Sequence, residues 1–474
     1  MLDAVVIGSG PNGLSAAVRL ARAGSSVVVL EAEPEIGGGA RTAELTLPGF
    51  KHDICSGAHP LGILSPWFAA LPLADHGLRW IKPKASVAHP LDDEPAVILH
   101  RSLEETARGL GVDADAYRDL LTPFLHAPRD LISDALTLRV IPRRPFKLAR
   151  FGLVGLRSAA GVAKSRFKGP RARALFAGCA AHSMAPLEHR LTASLGLLFL
   201  IAGHVEEWPV AAGGSASITS ALASLLRSLG GEIRTGVRVR SPRDLPDARV
   251  FLFDVTPRQL AGIAEKALPE PFVKKLRRPV RSPAAFKLDW ALSGPIPWKD
   301  PACLLASTVH VGGTMEDLCA SESAAFNGKE CARPFVLVVQ QSLFDPSRAP
   351  QGKHTGYAYC HVPYGSTADA GPAIEAQIER FAPGFRDRIL ARHVLSPAAL
   401  YEHNQSLEGG ALPGGLADIE QTMLQLHPYE TPNPRIFLCS ASTPPGAGVH
   451  GMCGARAALI ALRCLSRQAC GPLA

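Results

Sequence analysis

The chain opens on apolar blocks whose spacing reads as strand, helix, strand. Leu2 to Ile7 is an unbroken apolar run. Leu14, Ala17, Val18 and Ala21 follow at i, i+3, i+4 and i+7, the spacing of one buried helix face. Val27 to Leu30 is a second apolar run and ends at Glu31. Near the other end, Arg435 to Cys439 reads as a strand, with a helix from about Ala455 to Arg467. Between them, Val250 to Val255 reads as a strand. Ala284 to Leu292, Pro334 to Leu343 and Tyr357 to His361 are β-rich, and a helix is expected near Pro372 to Arg380. Residues 76 to 204 look mainly helical. Their longest apolar stretch, Leu195 to Gly203, is too short to cross a bilayer.

The first turn carries chemistry. Gly8-Ser9-Gly10-Pro11-Asn12-Gly13 lies between strand and helix, which makes the whole a βαβ unit of the dinucleotide-binding kind. Gly8 permits a tight turn, Gly10 lets the backbone approach a pyrophosphate, and Gly13 lets helix and strand pack closely. The helix N-terminus offers unpaired N–H groups and partial positive charge to phosphates. Glu31, with Ala32 beside it, can accept hydrogen bonds from ribose hydroxyls and would repel a 2′-phosphate. The site should therefore take FAD or NAD rather than NADP. The glycine pattern alone is common in a chain with 44 glycines; the flanking strands, the helix period and the placed acid carry the assignment.

Ile36-Gly37-Gly38-Gly39-Ala40-Arg41-Thr42 resembles the glycine-pair, arginine–threonine element of the flavin amine oxidase and phytoene desaturase superfamily. There Gly38, Gly39, Arg41 and Thr42 would run along the flavin side of FAD. Gly39 stands where amine oxidases usually carry arginine, so the fit is better to the phytoene desaturase-like branch. Ser442 to Gly454 resembles the C-terminal FAD motif of the same superfamily, which puts Gly448, Val449, His450 and Gly451 beside the cofactor. Gly446, Gly448 and Gly451 repeat the first glycine spacing, but no second strand and ribose acid follow them. The resemblance covers essentially the whole chain. His52-Asp53 follows the first FAD segment, and Gly213-Gly214 opens a helix. Gly230-Gly231-Glu232-Ile233 begins a third FAD segment, and Val237 with Val239 matches the place where a valine backbone contacts adenine. The implied fold is α/β: a Rossmann-type FAD-binding domain, discontinuous in sequence, with an inserted α+β substrate domain. Residues 1–75, 205–275 and 425–474 would form the first, and 76–204 with 276–424 the second.

Composition agrees with a large two-domain protein: 474 residues, 47% hydrophobic. Met1 runs straight into the first strand, so no signal peptide is expected. Ten cysteines are scattered without metal-ligand spacing, so free thiols, a reducing cytoplasm and no metal site are expected. Charge is uneven. No Asp or Glu occurs from Ala135 to Leu187, whereas eleven Lys and Arg lie between Arg139 and Arg173, so the chain's net charge of +8 arises locally. Phe146, Leu148, Phe151, Leu153, Val154 and Leu156 are interleaved with them. Such a mixture suits an anionic membrane surface; a solvated helical cap or the steering of an anionic substrate is the alternative. Nucleic acid is not expected, for want of a recognition module. Oligomeric state is not legible.

Catalytic candidates are two. The strand around Lys287, with Pro297-Trp298 after it, resembles the amine oxidase strand whose lysine holds a water at flavin N5, although the glycine before that strand is missing. His450 would shape the C-terminal turn or transfer a proton. His310 and His361, on expected strands, read as packed or surface histidines. The function this implies is an FAD-dependent oxidoreductase acting on an apolar, polyene- or lipid-like substrate by desaturation, saturation or isomerisation of a carbon–carbon bond. A flavin amine or amino-acid oxidase and a non-catalytic flavin-bearing interaction protein are the alternatives.

Overall fold

Strands buried on both faces read as unbroken apolar runs, and the first two runs behave this way. In the computed structural model, which describes residues 1–137, 142–279, 282–412 and 428–466, Leu2–Ile7 and Val27–Leu30 pair in parallel at the centre of a five-stranded sheet. Ala248–Phe253 and then Ile436–Leu438 extend it on one side, and Glu232–Arg234 on the other, all in parallel. Strands from three distant stretches of sequence thus build one sheet. Helices Pro11–Arg22 and Met452–Ser466 cover the same face and lie against each other. They approach closely at Gly454, where a Cβ would stand 1.7 Å from the Asn12 carbonyl oxygen.

A second, seven-stranded sheet runs Ile389–Leu395, Ala284–Leu292, His354–Val362, Val336–Val339, Ala306–Val311, Ala85–His89, Val97–Leu99. Its pairs are antiparallel, except that Ala306–Val311 and Ala85–His89 run parallel. The stretch expected to be mainly helical therefore contributes two strands. Ala85–His89 has one β-branched residue, Val87, and is held by burial of all five residues against a distant strand. Local propensity gave no sign of it. The expected strand Pro334 to Leu343 is shorter, Val336–Val339, because the Gln340 amide donates to the carbonyls of Cys303 and Ala306 and the chain then turns at Gln341–Leu343.

The rest of residues 102–206 is a helical layer. Pro145–Gly155 and Thr192–Glu206 pack together there, the latter containing the long apolar stretch. No helix among the described residues is long and apolar enough to cross a membrane. Arg139, and Arg467 at the end of the expected last helix, lie outside the described residues.

Candidate functional site

The glycine turn sits where its geometry can serve an anion. Gly10 is the N-cap of helix Pro11–Arg22 and brings no capping side chain, so first-turn N–H groups are left for a ligand. One is taken: the Gly13 N–H donates to Asp254 Oδ2 at 2.7 Å. Glu31, at the end of its strand, is held rigidly. Its Oε2 accepts from the Ser9 N–H at 2.9 Å and the Ser9 hydroxyl at 2.5 Å, and its Oε1 from the Glu33 N–H at 3.0 Å. Gly38 lies so close that a Cβ on it would stand 3.1 Å from Gly10 Cα. The Arg41 guanidinium donates to the carbonyls of Gly38 (3.0 Å) and His403 (3.1 Å).

Burial pushes the Asp254 carboxyl up to about 7, the neighbouring Glu31 adding to it and the Gly13 N–H opposing it. Asp254 was not singled out from sequence, yet the signal was there. It ends the apolar run Val250 to Phe253 as Glu31 ends Val27 to Leu30.

Twelve of the residues expected at the cofactor line one cavity of about 1130 Å³: Gly8, Gly10, Pro11, Asn12, Glu31, Ala32, Gly38, Gly39, Arg41, Val237, Gly448 and Val449. Gly13, Thr42, His450 and Gly451 stand behind this wall. Thr42 donates its hydroxyl to Asp53 at 2.8 Å. Burial alone would raise the Asp53 carboxyl, but the Arg348 guanidinium, 2.6 Å away, holds it below its ordinary value. His450 Nδ1 accepts the Met452 N–H at 3.1 Å, and its carbonyl accepts the Ser65 hydroxyl at 2.7 Å. Burial pushes the imidazole down to about 4, so it is neutral and tied into the turn.

The cavity is larger than the roughly 300–1000 Å³ of an ordinary single-ligand pocket, and its two ends differ. Among the described residues, every charged one on its wall (Glu31, Glu33, Arg41, Arg238, Arg240, Asp254) belongs to or adjoins the nucleotide-binding loops. The other end runs between the helical layer and the seven-stranded sheet, walled by Phe151, Leu198, Phe199, Trp208, Leu337 and Tyr359. The bare groove, the fixed acid at the strand end and the buried, unpartnered Asn12 Oδ1 fit a bound dinucleotide. The remaining apolar volume fits a second ligand beside it.

Lys287 lies one layer behind. It is 2% exposed, ion-paired with Asp289, and its Nζ stands 4.2 Å from the centroid of the Tyr357 ring, which does line the cavity. Burial raises the Asp289 carboxyl to about 6, with Lys287 opposing. His52 Nδ1 is 3.6 Å from Asp289, and burial followed by the Lys287 charge pushes His52 down to about 3. His310 and His361 are both buried rather than at the surface, and His361 Nδ1 is 2.7 Å from Glu322.

Fold and site together define a flavin-binding oxidoreductase with a Rossmann-like nucleotide domain. The family described as NAD(P)-binding Rossmann-like domain matches residues 6–68. The chain is 26% identical to the mouse protein "Pyridine nucleotide-disulfide oxidoreductase domain-containing protein 2" over 98% of this chain and 94% of that protein. It is 24% identical to the lycopene-forming phytoene desaturase of Pantoea ananas over 98% and 99%. The solved structure of putrescine oxidase bound to putrescine superposes with a TM-score of 0.64 at 15% identity, covering 98% of each chain. The chain is similar along its whole length to the phytoene desaturases, and it is an FAD-dependent oxidoreductase with a Rossmann-like dinucleotide domain.

Proposed function

We propose that this protein uses FAD to desaturate, saturate or isomerise a carbon–carbon bond of an apolar, polyene-, carotenoid- or lipid-like substrate. The observation that carries this is the uncharged apolar end of the cavity, continuous with the dinucleotide groove. A charged or strongly polar substrate would lose its hydration there without a partner. Bound flavin supplies hydride acceptance or donation. The chain's own part is to orient the substrate along the Phe199, Trp208, Leu337 wall, to exclude water and to keep the nearby histidines neutral. Lys287 would act through Tyr357, and His450 by shaping the C-terminal turn. Both carotenoid-desaturase names among the relatives, the lycopene-forming and the 1-hydroxycarotenoid enzymes, point to substrates of this kind.

An amine oxidase is the second reading, favoured by Tyr357 and Tyr359. Both rings line the cavity, with centroids 6.1 Å apart and planes at 87°. Against it, no carboxylate among the described lining residues lies at that end to hold an ammonium group. Anaerobic mixing separates the readings. Bleaching of the oxidised flavin by lipid or polyene extracts supports the first. Bleaching by amines, with peroxide on re-aeration, supports the second, and no reduction by any of them supports a non-catalytic flavoprotein.

The same reading places the protein against a membrane. Helix Pro145–Gly155 turns Leu148, Phe151, Gly152 and Gly155 to the cavity and leaves Phe146 90% and Leu153 74% exposed on its outside. Arg143, Arg144 and Arg150 are exposed around it. A ligand that barely dissolves in water would enter from a bilayer on which this helix rests.

A further inference from the structure

Two polar side chains at the apolar end of the cavity are placed to meet a ligand, Thr308 and His182. Thr308, on strand Ala306–Val311, lines the cavity at 2% exposure, and its buried hydroxyl oxygen has no hydrogen-bond partner. Orphaned buried hydroxyls are uncommon and ask for a ligand or an ordered water. His182, at the C-terminal end of helix Pro170–Ala181, lines the same cavity between Phe199 and Trp208, whose rings lie 4.7 and 5.3 Å from its own.

The orientation of His182 is fixed from behind. Its Nε2 stands 3.1 Å from Nε2 of His310, two residues from Thr308 on the same strand and therefore on the same sheet face. His310 is fully buried and wedged against Trp208 and Phe335, with ring centroids 5.8 and 5.5 Å away. With the two Nε2 atoms sharing one proton, the Nδ1 of His182 has no hydrogen-bond partner among the described residues. It remains a donor or acceptor beside the apolar wall, as the tautomer of the pair dictates.

We propose that His182 and Thr308 form a subsite for a single uncharged oxygen, a hydroxyl or carbonyl, on an otherwise apolar ligand. This rests on the reading of the cavity as the site of an apolar substrate and narrows the class of that substrate. The charge argument selects the neutral group. Among the described residues, no Lys or Arg lies on this part of the wall. Burial pushes His182 down to about 3, with His361 adding to it, and holds His310 well below its ordinary value, with His182 and His89 adding. Neither imidazole therefore supplies a cation for a carboxylate. A hydroxyl or carbonyl gains hydrogen bonds that a hydrocarbon cannot make, and gives the buried Thr308 hydroxyl the partner it lacks.

The test uses the FAD-loaded protein and three labelled linear isoprenoids of equal chain length: the alcohol, the hydrocarbon and the acid. Each partitions from detergent micelles in equilibrium dialysis. Thr308→Val is nearly isosteric and leaves the histidine pair in place; His182→Phe removes the other group. Both should weaken alcohol binding about tenfold and leave hydrocarbon binding unchanged. In the wild type at neutral pH the acid should bind more weakly than the alcohol. An alcohol-to-hydrocarbon ratio that is the same in the wild type and both variants overturns the subsite and leaves the cavity reading intact, as does an acid that binds more tightly than the alcohol. A wild type that retains none of the three overturns the cavity reading, and the subsite with it.

Discussion

Asp254 and Lys287 show what burial does to single charged residues in this protein. Asp254 is displaced upward to about 7, from an ordinary carboxyl value near 3.8. A folded-state value above the unfolded one means that its contribution is fully present below about 3.8. It is lost as pH rises through about 7, by at most about 4 kcal/mol. The apoprotein should therefore lose stability relative to Asp254→Asn across that window and run parallel to it above; a constant gap between urea midpoints would contradict this. Lys287 and Asp289 are a buried ion pair. Lys287→Met alone should cost about 3 kcal/mol or more by leaving Asp289 unpaired, and Lys287→Met with Asp289→Asn should recover most of it. A single variant as stable as the wild type would show that the pair matters little. If Lys287 also acts at the flavin, the double variant recovers stability but not turnover. The candidate cofactor residues, most of which line one cavity, were legible because dinucleotide chemistry demands glycine, acid and arginine at short, fixed spacings. His182 and Thr308 were not, because a cavity wall is assembled from distant segments and leaves no local pattern.

Among the elements, the basic stretch changes most on inspection. Part of its charge is spent inside the protein. Arg171 donates to the carbonyls of Gly109 (2.7 Å) and Pro95 (2.5 Å), and Arg173 donates to that of Phe167 at 2.9 Å. The exposed charge that remains near the cavity gathers around helix Pro145–Gly155. Phe146→Asp with Leu153→Asp should abolish sedimentation with anionic liposomes while leaving FAD content unchanged, since neither side chain is buried. Each cation near the surface adds about 1 kcal/mol, so wild-type binding should weaken at high salt. Binding unaffected by the pair, or equal on neutral liposomes, would leave the helix as a solvated cap. The first strands were legible because each carries its own apolar run, whereas this helix was foreseen only within a stretch, 76 to 204, that looks mainly helical. Ala85–His89 was missed: it is held between Val97–Leu99, close by, and Ala306–Val311, more than two hundred residues away in sequence.

At the scale of the whole molecule, the five-stranded sheet is closed by residues from both ends of the chain, and the turns at its strand ends line one groove. A ligand bound there stabilises the native assembly alone, so FAD should raise the unfolding temperature in proportion to the logarithm of its concentration. Gly10→Val, whose Cβ would stand 2.8 Å from Asp254 Oδ2, should remove that effect. FAD and an apolar ligand should share this cavity. An optical titration tests it most directly: apoprotein is loaded with FAD, then given an isoprenoid that does not itself absorb visible light. The protein should turn yellow with about one FAD per chain, and the flavin band should shift saturably as the isoprenoid binds. A protein that stays colourless in excess FAD, or a flavin band indifferent to every apolar ligand, would contradict it.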